Sequence, residues 1–440
     1  MNQENSRYTA VKLLGRVEQS GAYSNLLLDE HFSKSNMDAQ NKKFCTALFY
    51  GTLERKLTLD AVIAEYSNKP TNKLNAEVRN ILRTALYQLL YMDSVPDAAA
   101  VDEAVKLAAK NCNPAVKGFV NGLLRSFIRA DKKLPEPDVF AEKLSVAYSC
   151  PVELVSKWIA EMGEKNAVSV LADSLGRPPI TVRVNTSKIT PDELAKKLED
   201  EGFRVRKNTY VPEALEIVGG SVESSSAYAD GLLHVQDVSC MLCCKALDVR
   251  PGMTVLDLCA APGGKTFTLA EIMQNSGRLL AFDLHEKRAR LIAEGARRLG
   301  LSVVEASAND AKVFREDIPL ADRVLCDVPC SGLGVIRRKP EIKYKSLTDF
   351  GKLPDIQYQI LETCSQYVKQ DGLIVYSTCT LSDDENSRVV SRFLNTHSNF
   401  VAVPLWEDMG RFDGEEMLSV LPSYFDSDGF FIAKMKKIGP

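Results

Sequence analysis

The chain has no apolar run long enough to span a bilayer. Its most apolar stretch, Ile81 to Met92, is short and holds Arg83 and Gln88, so it reads as a core helix. The amino terminus lacks the basic-then-apolar pattern of a secretory signal. A cytoplasmic protein is therefore expected, with its 11 cysteines as reduced thiols. Histidine is scarce, with four residues, and none has a partner at metal-ligand spacing. Cys240, Cys243 and Cys244 share a CxxC spacing, but no second pair or nearby histidine completes a zinc site. They read as one apolar helix face, and no metal is expected. The three-glycine dinucleotide fingerprint is missing as well. Gly263-Gly264-Lys265-Thr266 resembles the end of a phosphate-binding loop, but Cys259 stands where that loop needs a glycine. This argues against a nucleoside triphosphate site. There is no internal repeat and no low-complexity tract.

What is present points to a large multidomain protein. At 440 residues the chain is long enough for about three domains. Its 45% hydrophobic and 26% charged residues are those of a globular protein with a sizeable core. The net charge of -3 is unevenly spread: residues 1–130 hold 17 Lys and Arg against 13 Asp and Glu. A mildly basic amino-terminal part suits a phosphate-facing surface.

The first part reads as helical. Val101, Ala104, Val105 and Ala108 fall on one stripe of an amphipathic helix, and residues 74–92 form another helical candidate. Lys133-Leu134-Pro135-Glu136-Pro137 breaks the pattern as a linker. Thr181 to Asn185 then alternates as a strand. Pro191 opens and Gly202 closes a helix, and Phe203 to Arg206 starts another strand. From about residue 250 apolar strand candidates recur, at 254–259, 279–284, 302–306, 323–328 and 373–377. Helical stretches at 287–299 and 355–369 lie among them. This rhythm predicts a parallel sheet covered by helices on both faces, with its ligand beyond the carboxyl ends of the strands.

The chemistry-bearing motifs fall at those ends. Asp257-Leu-Cys259-Ala260-Ala261-Pro262-Gly263-Gly264-Lys265 is a strand running into a glycine turn, where backbone can approach a ligand closely. Asp283 ends the second strand, where a carboxylate can accept both ribose hydroxyls, and Asp310 can accept from an adenine amino group. Both can equally cap the helices that follow them. Acceptors without a phosphate loop favour S-adenosylmethionine, a nucleoside without phosphates. Asp327-Val-Pro-Cys330 and Tyr376-Ser-Thr-Cys379 each follow an apolar run. Methylating cytosine at carbon 5 calls for a thiolate to add at carbon 6, an acid at the ring nitrogen and a base for the carbon 5 proton. Cys379, Asp327 and Cys330 can supply these. An adenine-amino methylating site would carry Asp-Pro-Pro-Tyr in place of Asp327-Val-Pro-Cys330. The plain alternative for either cysteine is a small core residue.

At these residues the chain resembles the RNA cytosine-carbon-5 methyltransferases of the bacterial Sun/Fmu type, which modify small-subunit ribosomal RNA. The likeness spans nearly the whole chain. Leu74 to Arg83 and Val101 to Val105 resemble a helical NusB-type domain. Arg183 to Asn185, Gln236-Asp237 and Asp428 to Lys434 also fit, although Val238-Ser239-Cys240 stands where the family often has two small polar residues. The resemblance implies a Rossmann-like class I methyltransferase domain at 236–440. Before it would come a helical NusB-like RNA-binding domain at 1–135 and a small α/β linking domain at 140–235. It implies Cys379 as nucleophile, with Cys330 assisting product release; the Pro-Cys nucleophile of DNA cytosine methyltransferases would instead point to Cys330. It also implies a cofactor and base pocket lined by 259–265, Asp283, Arg288, Asp310 and Asp327. The expected partner is small-subunit ribosomal RNA, met by a monomer. The alternatives are the same chemistry on transfer RNA or another RNA, and a non-catalytic RNA-binding antitermination or assembly factor.

Overall fold

The computed structural model describes all residues except 1–3, 21–23, 68–69, 113–114 and 440. It divides into two compact units. One comprises Met1–Arg177 with Ile336–Leu347, the other Pro178–Val335 with Thr348–Pro440.

The first unit is helical: α1 (Ser6–Ser20), α2 (Ser24–Lys34), α3 (Ala39–Glu54), α4 (Lys56–Ser67), α5 (Ala76–Tyr91), α6 (Asp97–Asn111), α7 (Ala115–Arg129), α8 (Phe140–Tyr148) and α9 (Val152–Asp173). The expected helices, at 74–92 and along the Val101 to Ala108 stripe, are α5 and α6. Asn75 caps α5 by accepting from the Glu77 and Val78 amides, which otherwise lack partners in a first turn. Val101, Ala104 and Ala108 of the predicted stripe are buried beside Ile81, Leu82 and Leu86. The unit continues past the Lys133–Pro137 linker, because α8 and α9 pack onto it. It also takes in a distant segment. The Glu341 carboxylate accepts from the Ser24 amide and hydroxyl at 3.0 and 2.9 Å. Lys343, fully buried, donates to the Glu54 carbonyl at 2.9 Å, and burial pulls its pKa down to about 8.

The second unit holds two sheets. The smaller is antiparallel, with spatial order β2-β3-β1-β4, from β1 (Ile180–Val184), β2 (Arg204–Lys207), β3 (Ala214–Val218) and β4 (Leu233–Val235). Between β1 and β2 lies α10 (Pro191–Asp200), set by a Thr190–Glu193 capping box with Pro191 in its first turn. Between β3 and β4 lies α11 (Ser226–Ala229).

The larger sheet follows α12 (Val238–Ala246). Its elements are β5 (Thr254–Asp257), α13 (Gly264–Ile272), β6 (Arg278–Asp283), α14 (Glu286–Leu299), β7 (Val304–Ala308), β8 (Ala321–Asp327), α15 (Leu353–Gln366), β9 (Val368–Thr378), α16 (Ser387–Thr396), β10 (Phe400–Ala402), β11 (Met417–Val420), α17 (Pro422–Phe425) and β12 (Phe430–Lys437). Strand order is β10-β12-β9-β8-β5-β6-β7, with β11 beside β12. The strands β9, β8, β5, β6 and β7 are parallel, as expected, and β12 joins β9 antiparallel. The sheet is therefore mixed rather than wholly parallel, since the chain's last strand runs back along β9. The order reverses between β5 and β8, the topological switch point where open sheets of this kind bind ligands. No described helix is long and apolar enough to cross a membrane.

Candidate active site

Beyond the end of β5 the chain turns sharply. The Ala260 amide donates to the Phe282 carbonyl at 2.7 Å and the Gly263 amide to the Ala260 carbonyl at 2.8 Å. The Ala261–Pro262 bond is cis. Gly263 sits at φ 111° at the start of α13, and a Cβ there would stand 2.4 Å from the Phe267 ring. A side chain is excluded twice, by backbone conformation and by space.

Two clusters form around this turn. At the end of β6, Asp283 accepts from the His285 amide at 3.2 Å and pairs with Arg288 at 3.3 Å. Arg288 also donates to the Ala261 carbonyl at 2.9 Å, tying the glycine turn to the strand end. The structure therefore brings Ala261, Asp283 and Arg288 together. Asp310 makes its polar contacts locally, with the Lys312 amide at 3.0 Å and its ammonium at 3.9 Å. Its neighbour Asn309 is buried, and its Nδ2 has no hydrogen-bond partner. A buried amide donor without a partner costs free energy unless a ligand or water completes it.

The second cluster joins the ends of β5, β8 and β9. Lys265 Nζ donates to Asp327 Oδ2 at 2.8 Å, and the Ser377 hydroxyl to Asp327 Oδ1 at 2.7 Å. Burial opposes the Lys265 charge, but Asp327 outweighs it and holds the ammonium pKa above its ordinary value. Lys265 also lies 5.1 Å from the centre of the Phe430 ring. Asp257 is fully buried and accepts from the Thr266 hydroxyl at 2.7 Å; burial raises its pKa to about 7. The Sγ atoms of Cys330 and Cys379 are 3.2 Å apart. The contact with Cys379 and burial both push the Cys330 thiol up. Cys259 is partly buried against the core, and burial raises its thiol too.

Side chains that the sequence reading passed over fix the two cysteine loops. Glu385 is buried in an acidic run that resembles a solvated loop. It accepts from the Ser331 amide and from Gln357 Nε2, each at 2.9 Å, and Gln357 also donates to the Pro329 carbonyl. The Ser331 and Thr380 hydroxyls stand 2.7 Å apart, and Asn386 bonds Thr378 and Thr380. The Gly334 amide donates to the Cys379 carbonyl at 3.0 Å. A Cβ on Gly334 would stand 2.0 Å from the Gly429 carbonyl, so this approach needs glycine. Cys240, Cys243 and Cys244 lie on α12, the last two buried, and burial raises all three thiols. Among the described residues no three His, Cys, Asp or Glu side chains are grouped to hold a metal ion.

Comparison with known proteins places this geometry among relatives. Residues 244–436 match the family of 16S rRNA methyltransferases RsmB/F, residues 4–129 the NusB family, and residues 150–222 the ferredoxin-like domain of RsmF/B-like methyltransferases. The chain is 38% identical over 100% of both lengths to the probable ribosomal RNA small subunit methyltransferase B of Bacillus subtilis (strain 168). It is 32% identical, over 98% of this chain and 99% of the relative, to its counterpart in Synechocystis sp.. The crystal structure of PH0851 superposes with a TM-score of 0.80 at 29% identity, over 99% of this chain and 100% of that one.

Proposed function

Because this chain belongs to the RsmB/F family of 16S rRNA methyltransferases, we propose that it methylates carbon 5 of a cytosine in small-subunit ribosomal RNA. It does so through a covalent adduct with Cys379. The observation that carries this reading is the pair of thiols, 3.2 Å apart at the ends of adjacent parallel strands, beside Asp327.

The residues beyond β5 and β6 suit S-adenosylmethionine. The glycine turn at 259–265 leaves room for close backbone approach. Asp283 offers acceptors for ribose hydroxyls, Arg288 stiffens the turn against it, and Asp310 takes the adenine edge. The unpartnered Nδ2 of Asn309 favours a ligand group there. When bound, the cofactor supplies an electrophilic methyl group. Cys379, as thiolate, forms a bond to carbon 6 and makes carbon 5 nucleophilic. Asp327, held by Lys265 and Ser377, is the acid for the ring nitrogen: in its protonated form it donates there and offsets the negative charge that thiolate addition brings. Once carbon 5 is methylated, Cys330 must be in its thiolate form to take the carbon 5 proton; the electron pair left behind expels Cys379 from carbon 6 as thiolate, and Cys330 ends as thiol. A thiol titrating near ~8.5 needs activation by its surroundings for this role. The target base must leave any stack to meet Cys379, so an unpaired cytosine is the expected substrate.

The helical unit, with its basic amino-terminal part, is assigned to RNA engagement in the cytoplasm. Phosphate contacts there should make RNA affinity fall steeply with salt. The test is transfer of a labelled methyl group to total RNA from cells lacking the protein, followed by separation of ribosomal from transfer RNA and nucleoside analysis. Label in 5-methylcytosine is expected. Label in any other nucleoside, or only in transfer RNA, would overturn the reading.

A further inference from the structure

The smaller sheet reaches directly into the helix that carries the glycine turn. Glu271 lies near the end of α13, and its side chain is 0% exposed. Arg183 on β1 donates to Glu271 Oε2 at 2.9 Å. His234 on β4 is the cross-strand partner of Arg183, and its Nδ1 stands 3.5 Å from Glu271 Oε1. One turn earlier, the Thr268 hydroxyl donates to Gln236 Oε1 at 2.6 Å and lies 3.2 Å from the Gly264 carbonyl. On the same side, Phe267 meets the His234 ring edge-on at 5.6 Å and presses against Gly263. The small sheet also holds the next helix. Asn185 donates to the Leu299 carbonyl at 2.9 Å, and Arg298 donates to the Tyr228 and Leu233 carbonyls at 2.7 and 3.0 Å. That helix, α14, carries Arg288.

Apolar packing alone would not fix α13 in place. The hydrophobic effect is non-directional, so burial alone fixes the rotation of this nine-residue helix less sharply than directional bonds do. A buried ion pair sets both angle and height. It adds little net stability, because desolvation offsets the attraction and apolar substitutes are often as stable. Its use is therefore orientation.

We infer that Arg183, His234 and Gln236 are positioning residues for the cofactor turn, acting through Glu271, Thr268 and Phe267. The small sheet would then set cofactor affinity without touching the cofactor. The inference rests on the reading of residues 259–265 as the S-adenosylmethionine site.

The test uses the full chain with Arg183→Met and Glu271→Leu combined, which removes both charges together. The melting temperature should stay close to the parent value. S-adenosylmethionine affinity by calorimetry should fall by about tenfold, less than the ~10²-fold that a full 1 Å misplacement can cost. KM for the cofactor should rise in step, while kcat at saturating cofactor holds. A folded double variant with unchanged affinity overturns the inference. Should that variant not fold, Thr268→Val and Thr268→Ser replace it: Val should weaken cofactor binding and Ser restore it, and equal affinities would overturn the inference. Failure of the unaltered protein to bind S-adenosylmethionine would instead overturn the cofactor reading, and the inference with it.

Discussion

Each unit of the molecule buries a cluster of charges, and the two are built differently. In the helical unit Arg83, on α5, is gripped from three sides. It makes a bidentate pair with Asp60 at 2.6 and 2.7 Å, and its third nitrogen reaches Glu18 at 2.6 Å and Asn80 at 2.8 Å. Arg79 and Lys56 complete Glu18 at 3.1 and 3.6 Å. These contacts tie α1, α4 and α5, and the charges pair among themselves, with Arg79 Nε left without a hydrogen-bond partner. In the second unit Lys265 and Asp327 are paired, but the strand ends around them also hold thiols with raised pKa and an Asp257 carboxyl near neutrality, and the neighbouring Asp283 cluster holds an Asn309 amide without a partner. A cluster closed on itself holds helices together. A cluster left incomplete is poised for a ligand and for proton transfer.

That contrast can be broken at four points. The largest effect is expected at the open cluster: Cys379→Ala should lower methyl transfer by about a thousandfold or more while the melting temperature stays unchanged. A residual rate near that of the unaltered protein would remove Cys379 from the chemistry. Next comes the closed cluster. Arg83→Met leaves Glu18 and Asp60 without their central cation, which should destabilise the helical unit by about 3–5 kcal/mol in denaturant titrations. The protein that remains folded should bind S-adenosylmethionine as before; a parallel loss of affinity would erase the distinction drawn here. Asp283→Ala should cost about 1.5–3 kcal/mol of cofactor binding, roughly a ten- to hundredfold rise in Kd by calorimetry. Unchanged affinity would take Asp283 out of the site.

The smallest effects lie in pH dependence, and their signs differ. Burial opposes the Glu18 charge, but Arg83 and its neighbours prevail and lower its pKa from 4.5 to about 2. The unfolded chain then binds more protons between these values, so this contribution is present above pH 4.5 and is lost as pH falls toward 2. Asp257 is raised from 3.8 to about 7, so its contribution is full below 3.8 and is lost as pH rises through 7. Melting curves against pH should show Glu18→Gln flattening the acid limb and Asp257→Asn flattening the slope toward neutrality. The opposite assignment of slopes would contradict the two environments.

Much of this was legible in the sequence where the signal is local. The strand-then-turn motif at Asp257 to Lys265, the acid ending β6 and the two cysteines after apolar runs all announce themselves within a few residues. The Ile81–Met92 stretch reads as a core helix, and Arg83 and Gln88 are buried in it. What escaped is long-range. Nothing in Asp383-Asp-Glu385 shows that one of three acids turns inward to hold the loop of Cys330, 55 positions earlier. The partners Arg183 and Glu271 are separated by 88 positions. The segment Ile336–Leu347 carries Glu341 and Lys343, which composition assigns to a surface, yet both are buried in the helical unit. Deleting residues 1–130 would therefore strip Ser24 and Glu54 from them, and is not a clean removal of one domain. The antiparallel return of β12 likewise depends on pairing with β9, which no local pattern encodes.

The central claim is the division of labour between the two thiols, and covalent trapping tests it most directly. Cys330→Ala and Cys379→Ala variants would each be incubated with small-subunit ribosomal RNA and S-adenosylmethionine, denatured, and run on a gel that retains protein–RNA adducts. Cys330→Ala should accumulate a covalent adduct, because attack proceeds and release stalls, while Cys379→Ala forms none. An adduct on Cys379→Ala and none on Cys330→Ala would reverse the roles and contradict this account.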